Sequence, residues 1–535
     1  MVAAQSPVSL GEPEIPTASG RVRGRWRGKG DGVAVFRGIP FASPPVGPLR
    51  FLAPQPPQAW GGVLDAAASG PIAPQALPLP GDGDIASPGP GPDEGNWLTL
   101  NVWSPDLGAA DSGGGLPVLV WIHGGAYIFG SGSDPRYDGT TLAGLGAVVV
   151  TCNYRLGVEG FAQLEGAPAN RGLLDAVAAL GWVAQNVARF GGDPSNVTIF
   201  GESAGAGVIA ALLAMPRARG LFRRAIAQSV PGTFFTPGLA GDITRAIAAE
   251  AGITGAGAGP VTRAALAGAA PARLVQAQMA VTQGMRRHRQ WGPVALTITP
   301  FSPVVDGEVL PRAPWRALLS GAARDVDLLV GHNRDEYKLF IEMAGQGGRV
   351  TREQAAEALA AFAPDPEAYR RAYPSFDAER LYERVFSDWL FRMPSLHLAQ
   401  AHAASGGRTY LYELTYRAPA SPAALGACHG LDLPLVWGGR EGDGPGEAGP
   451  QVTERLNLLT GTSPPQEFSD LGALMRAEWL AFARTGAPGW PVYGTERRLA
   501  RVYDRPADVD PYPEEASMRL WDRHQFDTLG LAPSP

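Results

Sequence analysis

Only two cysteines, Cys152 and Cys428, occur in 535 residues, too few for a disulfide framework or a cysteine-rich zinc site. Histidine is scarce too, at seven. Charged residues are 18% of the chain, and 45 Lys and Arg against 51 Asp and Glu leave a formal net charge of −6. Arg286, Arg287 and Arg289 cluster around His288, but with no long basic run they read as a solvated patch, and nucleic-acid binding has no support. No apolar run approaches the roughly 18–20 residues that cross a membrane. The first twenty residues show neither the basic opening nor the apolar stretch of a signal peptide. These absences make a cytoplasmic protein the expectation.

What is present suits a large enzyme. Hydrophobic residues make up 45% of the chain, ample for a sizeable core. The 70 glycines and 50 prolines are scattered through apolar segments, except from Pro71 to Pro92, which reads as a long irregular loop. Short apolar runs at Val118–Ile122, Ala147–Cys152, Asn196–Phe200, Ala225–Ala227, Asp327–Gly331 and Thr409–Leu414 predict buried strands. Leu173, Val177, Leu180, Ala184 and Val187 recur at helical spacing, which predicts one helix face, and Val208–Ala214 predicts another helix. Alternating strands and helices point to an α/β protein with a mostly parallel sheet covered on both faces. Such a sheet carries its site at the carboxyl ends of its strands. From about 236 to 295 and from 345 to 404 the sequence turns helical without strand runs, so these blocks read as cap insertions in a single domain spanning 1–535.

The most informative segment is Gly201-Glu202-Ser203-Ala204-Gly205. Gly-x-Ser-x-Gly is weak alone in a glycine-rich chain. Here a strand runs in and a helix runs out, the context of a serine lifted above a sheet on a strained turn. The N–H of Ala204 would then face a developing oxyanion. His123-Gly124-Gly125 follows another strand, and its glycine N–H groups would supply the remaining donors.

A serine hydroxyl needs a base to take its proton as it attacks. His123 sits in the presumed oxyanion segment, His288 in the arginine cluster, His397 and His402 in a cap helix, and His524 near the end. That leaves His332 and His429, both read as loop residues. The order Ser, acid, His is satisfied by Ser203, Glu336 and His429, with Asp335 as the alternative acid and His332 as the alternative histidine.

These residues resemble the type-B carboxylesterases, the family that includes cholinesterases and bacterial para-nitrobenzyl esterases. The likeness extends over nearly the whole chain: Phe36–Ala42, Leu98–Val102, Asn153–Gly157, Phe190–Pro194, the serine motif, Val305-Asp306-Gly307, Asp335-Glu336, Gly426–Gly430 and Trp479–Ala483. It implies an α/β-hydrolase fold and a glutamate acid, favouring Glu336 over Asp335. It implies an oxyanion hole of Gly124, Gly125 and Ala204, and a supporting role for Glu202 and Ser229. A disulfide of secreted members would fall at Ala73 and Trp97 and cannot form, which fits a reducing compartment. Tyr337 replaces a glycine common after the acid, and Asp432 replaces a glutamate expected three residues after the histidine.

The implied chemistry is two-step acyl transfer on a small-molecule ester, requiring no metal or organic cofactor. Short-chain or aryl esters are the expected substrates. Trp97, Tyr127, Phe234, Phe235 and Tyr337 are candidate pocket aromatics. The alternatives are a lipase or peptidase on the same triad, or a non-catalytic cholinesterase-like adhesion protein.

Overall fold

The computed structural model describes residues 11–28, 32–76, 95–111, 113–253, 259–417, 425–438, 459–460 and 464–533. Most of the Pro71–Pro92 segment, from residue 77 on, therefore lies outside the described residues.

Among the described residues, eleven strands form the central sheet: β1 (Arg25–Arg27), β2 (Val33–Pro40), β3 (Thr99–Ser104), β4 (Leu116–Ile122), β5 (Val148–Cys152), β6 (Gly192–Glu202), β7 (Arg224–Gln228), β8 (Asp327–Asn333), β9 (Thr409–Leu414), β10 (Leu499–Tyr503) and β11 (Asp508–Pro511). Their spatial order is β11-β10-β9-β8-β7-β6-β4-β5-β3-β2-β1. The seven strands from β10 through β5 pair in parallel, and both margins are antiparallel.

The apolar runs make these strands because both faces are buried, as a parallel sheet requires. Along β4, Val118, Val120 and Ile122 enter one core and Leu119 and Trp121 the other. The helices Arg171–Asn186 and Ala204–Ala214 cover the first face, while Gln466–Thr485, with Trp479, Leu480 and Phe482, covers the second. The outermost strand β1 carries Arg25, paired with Glu12 and Asp65, and Arg27, paired with Asp138; charge of this kind guards an open edge.

Two sequence expectations need correction. In the helix Arg171–Asn186 the buried residues include Leu173, Leu174, Ala176, Ala179, Leu180 and Val183, whereas Ala184 is exposed and Val187 lies past the helix end. The buried face drifts along a helix of 3.6-residue period, which a strict three–four count does not follow. His332 is not a loop residue: β8 continues through it to Asn333.

The block from about 236 to 295 contains the helices Pro237–Glu250, Arg263–Ala267 and Pro271–Gln283. The block from 345 to 404 contains Arg352–Phe362, Pro366–Ala372, Ala378–Ser387 and Met393–Ala404. A π-helical turn, Asp388–Arg392, joins the last two.

Candidate active site

β6 ends at Glu202, and the next residue takes a conformation that side chains rarely adopt. Ser203 has φ 57° and ψ −125°, and the helix Ala204–Ala214 starts at once. Such strain persists only where the surroundings fix it. Here the Ser203 N–H donates to the Gln228 carbonyl at 2.9 Å, tying the turn to β7. The helix must leave close against β4, and a Cβ at Gly205 would lie 2.0 Å from the Ile122 carbonyl oxygen. Ser203 stays partly exposed while Glu202 and Ala204 are buried.

The loop after β4 packs against this turn. A Cβ at Gly124 would lie 2.9 Å from Glu202 Oε2 and 3.2 Å from Ser203 Cβ. Among the described residues, Gly124 and Gly125 donate no backbone hydrogen bond. The Ala204 N–H, first in its helix, has no intrahelical acceptor. His123 is held away from proton chemistry. It stacks on Tyr154 at 4.4 Å, its Nδ1 bonds the Gly124 carbonyl at 2.7 Å, and burial lowers its pKa to about 4.

His429 arrives from the segment after β9. Its Nδ1 is 2.6 Å from Glu336 Oε2. Glu336 is fully buried, and its other oxygen accepts from Ser229 Oγ at 2.6 Å and from the Asn333 N–H at 2.8 Å. Asp335 faces elsewhere: it accepts from the Ala427 N–H at 3.0 Å and pairs with Lys338 at 3.1 Å, so it shapes the histidine segment without meeting the imidazole. His332 is also apart, with Nε2 2.8 Å from the Tyr512 hydroxyl and a pKa that burial pushes down to about 3.

Glu202 Oε1 lies 3.0 Å from His429 Nε2, so its carboxylate flanks that ring nitrogen. Burial would lower the His429 pKa, but the charges of Glu202 and Glu336 outweigh it and hold the imidazole above its ordinary value. A third carboxylate, Asp432, accepts from Gln228 Nε2 at 2.7 Å and the Tyr412 hydroxyl at 3.1 Å; burial, aided by Glu202, pushes its pKa up to about 6.

Two aromatic rings lie against the imidazole. Phe391 stacks on it at 4.3 Å and Phe340 lies at 5.1 Å. Neither stood out in the sequence, nor did Asn333 and Gln228. Phe340, four residues beyond Glu336, could have been found by its proximity to the acid; Phe391, in a cap segment, offered no such signal. Of the aromatics singled out from sequence, Tyr337 lies against Phe340 at 5.2 Å and stacks on Phe386, while Tyr127 packs against Phe161, Phe234 against Trp315, and Trp97 and Phe235 are buried. Cys428 is buried, and burial raises its thiol pKa far above the ordinary range.

The group formed by Ser203, His429, Glu336, Gly124, Gly125, Ala204, Glu202 and Ser229 thus sits at or just beyond the carboxyl ends of β4, β6, β7, β8 and β9. A cavity of about 780 Å³ opens at the opposite strand ends, beside Ser195, Arg223, Asp327 and Arg408, and includes none of these residues.

The family model described as the carboxylesterase family matches residues 11–498. The chain is 35% identical to the para-nitrobenzyl esterase of Bacillus subtilis (strain 168), over 94% of this chain and 96% of that protein. It is 34% identical to human carboxylesterase 3, over 96% and 90% respectively. Among solved structures it resembles Geobacillus stearothermophilus carboxylesterase EST55 with a TM-score of 0.79 and 36% identity, covering 95% of this chain and 99% of that one.

Proposed function

The chain belongs to the carboxylesterase family, and on that premise we propose that its carboxylic ester hydrolysis runs on Ser203, His429 and Glu336 and is directed at short-chain or aryl esters. The observation that carries this reading is the 2.6 Å contact between Glu336 and His429, at the same strand ends as the strained, partly exposed Ser203.

Ser203 Oγ attacks the ester carbonyl carbon as His429 Nε2 takes its proton. The carbonyl oxygen becomes an oxyanion facing the N–H groups of Gly124, Gly125 and Ala204. Removing one such donor typically costs about 2.7–4 kcal/mol of transition-state stabilisation. Collapse breaks the bond to the alcohol oxygen, which leaves with the proton from His429. Water then attacks the acyl-enzyme, again giving its proton to His429, and the acid departs as Ser203 recovers its hydrogen. Glu336 fixes the ring tautomer and, with Glu202, favours the imidazolium formed in both steps. Ser229 and the Asn333 N–H keep the Glu336 carboxylate aimed at the ring.

Phe340, only half-buried beside His429, offers an aromatic surface that suits an aryl ester. No described helix is long and apolar enough to cross a membrane. Both cysteines are buried and unpaired, and with Ala73 and Trp97 where secreted relatives carry a disulfide we read a reducing, cytoplasmic setting. We read the whole chain as one α/β-hydrolase domain.

Initial rates on soluble short-acyl aryl esters, long-chain triglyceride emulsions and peptides, with wild type and Ser203→Ala side by side, test the proposal. Wild type should prefer the short esters, and Ser203→Ala should lower kcat by about 10⁶-fold while keeping the fold. Preference for the emulsion would favour a lipase; substantial turnover by Ser203→Ala would sink the assignment.

A further inference from the structure

The ring that stacks on His429 hangs from an irregular piece of helix, and that piece is gripped from the far end of the chain. Phe391 belongs to the π-helical turn Asp388–Arg392, a geometry seen mostly as single turns at functional positions. The turn holds two fully buried charges. Asp388 Oδ2 accepts from Tyr369 Oη at 2.7 Å and from Ser517 Oγ at 2.6 Å. Arg392, next to Phe391, pairs with Asp388 Oδ1 inside the turn at 3.4 Å and reaches Glu514 Oε2 at 2.8 Å and the Arg334 carbonyl at 3.4 Å. Glu514 also pairs with Arg384 at 2.6 Å and Arg334 at 3.0 Å. Trp521 donates to the Tyr369 hydroxyl. Glu514, Ser517 and Trp521 belong to or immediately precede the short helix Glu515–Trp521, more than eighty residues beyond His429 in sequence.

Resting on the triad reading above, we infer that this C-terminal segment is an intramolecular clamp, in which Glu514 and Ser517 act as positioning residues that hold Phe391 stacked on the imidazole of His429. Through Arg334 the same clamp also touches the loop carrying Glu336, so it braces the base and its acid together. A buried charge keeps its place only if its partners do; without the Glu514 charge, Arg392 retains only its longer 3.4 Å pairing with Asp388. Loosening Glu514 therefore frees the turn, and the stacked ring moves with it. The imidazole then loses the wall that fixes its plane, and catalysis suffers through orientation while substrate contacts stay intact.

A double-mutant cycle on kcat tests this, using Glu514→Gln, Phe391→Leu and the double variant in the full-length enzyme. Each rate is normalised to the fraction of Ser203 titrated by a fluorophosphonate, so partial unfolding does not count as lost catalysis. Each single variant should lower kcat about 10- to 100-fold with little change in KM. The double variant should be no slower than Phe391→Leu alone, because both changes remove one interaction. Losses that multiply, or a Glu514→Gln enzyme with wild-type kcat, would overturn the clamp. If Glu514→Gln does not fold, Ser517→Ala takes its place in the cycle, with the same two outcomes. Failure of wild type to label at Ser203 would instead remove the triad reading beneath the proposal.

Discussion

The serine side and the histidine side of this site are built in opposite ways. Ser203 is set by five consecutive residues that span the end of one strand and the start of one helix, with Gly205 admitting the Ile122 carbonyl. His429 stands where segments far apart in sequence converge: Glu202 at the end of one strand, Glu336 beyond another and Phe391 from a cap turn, with Asp432 three residues along its own segment. The first half is locally determined geometry. The second is an electrostatic and aromatic enclosure that exists only once the whole sheet has formed. A local element is all-or-none in its backbone demands, whereas an assembled one can be tuned partner by partner.

Substitutions can break that contrast, beginning with the most damaging. Glu336→Gln should lower kcat by about 10⁴-fold in ester hydrolysis. It removes the charge opposite the imidazolium while leaving shape intact, so KM should hardly move in steady-state kinetics. On the serine side, Gly205→Ala should act on the fold. A Cβ 2.0 Å from a backbone oxygen cannot be accommodated without moving strand or helix. Urea unfolding should show a loss of about 3 kcal/mol, the upper end of overpacking costs, and wild-type stability would show that the turn is not as tightly bound as described.

Glu202→Gln should sharpen the comparison through pH. His429 must be neutral to accept the serine proton, so kcat/KM falls as pH drops through its pKa in the free enzyme. Burial lowers that pKa, but Glu202 and Glu336 together hold it above the ordinary value, so the acidic limb should lie higher than a free histidine would place it. Removing the Glu202 charge should shift the limb to lower pH. An unmoved or rising limb would mean that Glu202 does not sense the imidazole. The smallest effect belongs to Asp335→Asn, which should cost about 1 kcal/mol of thermal stability and leave the pH limb in place. A limb that moved would show that Asp335, not Glu336 alone, charges the ring.

The same division explains what could be read from the sequence. The strands β4 to β9 and the helix after Ser203 follow from apolar runs and glycine placement, since both are local. The pairing of Glu336 with His429 followed only from chain order and family resemblance. Nothing local separates Glu336 from Asp335: the two alternate around one turn, and only the fold aims one at the imidazole and the other at Ala427 and Lys338. Only the loop placement expected for His332 fails, because the apolar run stops at Gly331 while the strand's hydrogen bonding to β9 continues to Asn333. Phe391 was illegible for a related reason, because its contact with His429 depends on a π-helical turn that has no sequence signature.

Fluorophosphonate labelling followed by peptide mass spectrometry tests the central claim most directly, comparing wild type with His429→Gln. One adduct per chain should fall on Ser203, and it should form orders of magnitude more slowly in His429→Gln. An adduct on any other residue, or an undiminished labelling rate without the histidine, would contradict a Ser203 activated by its distant partners.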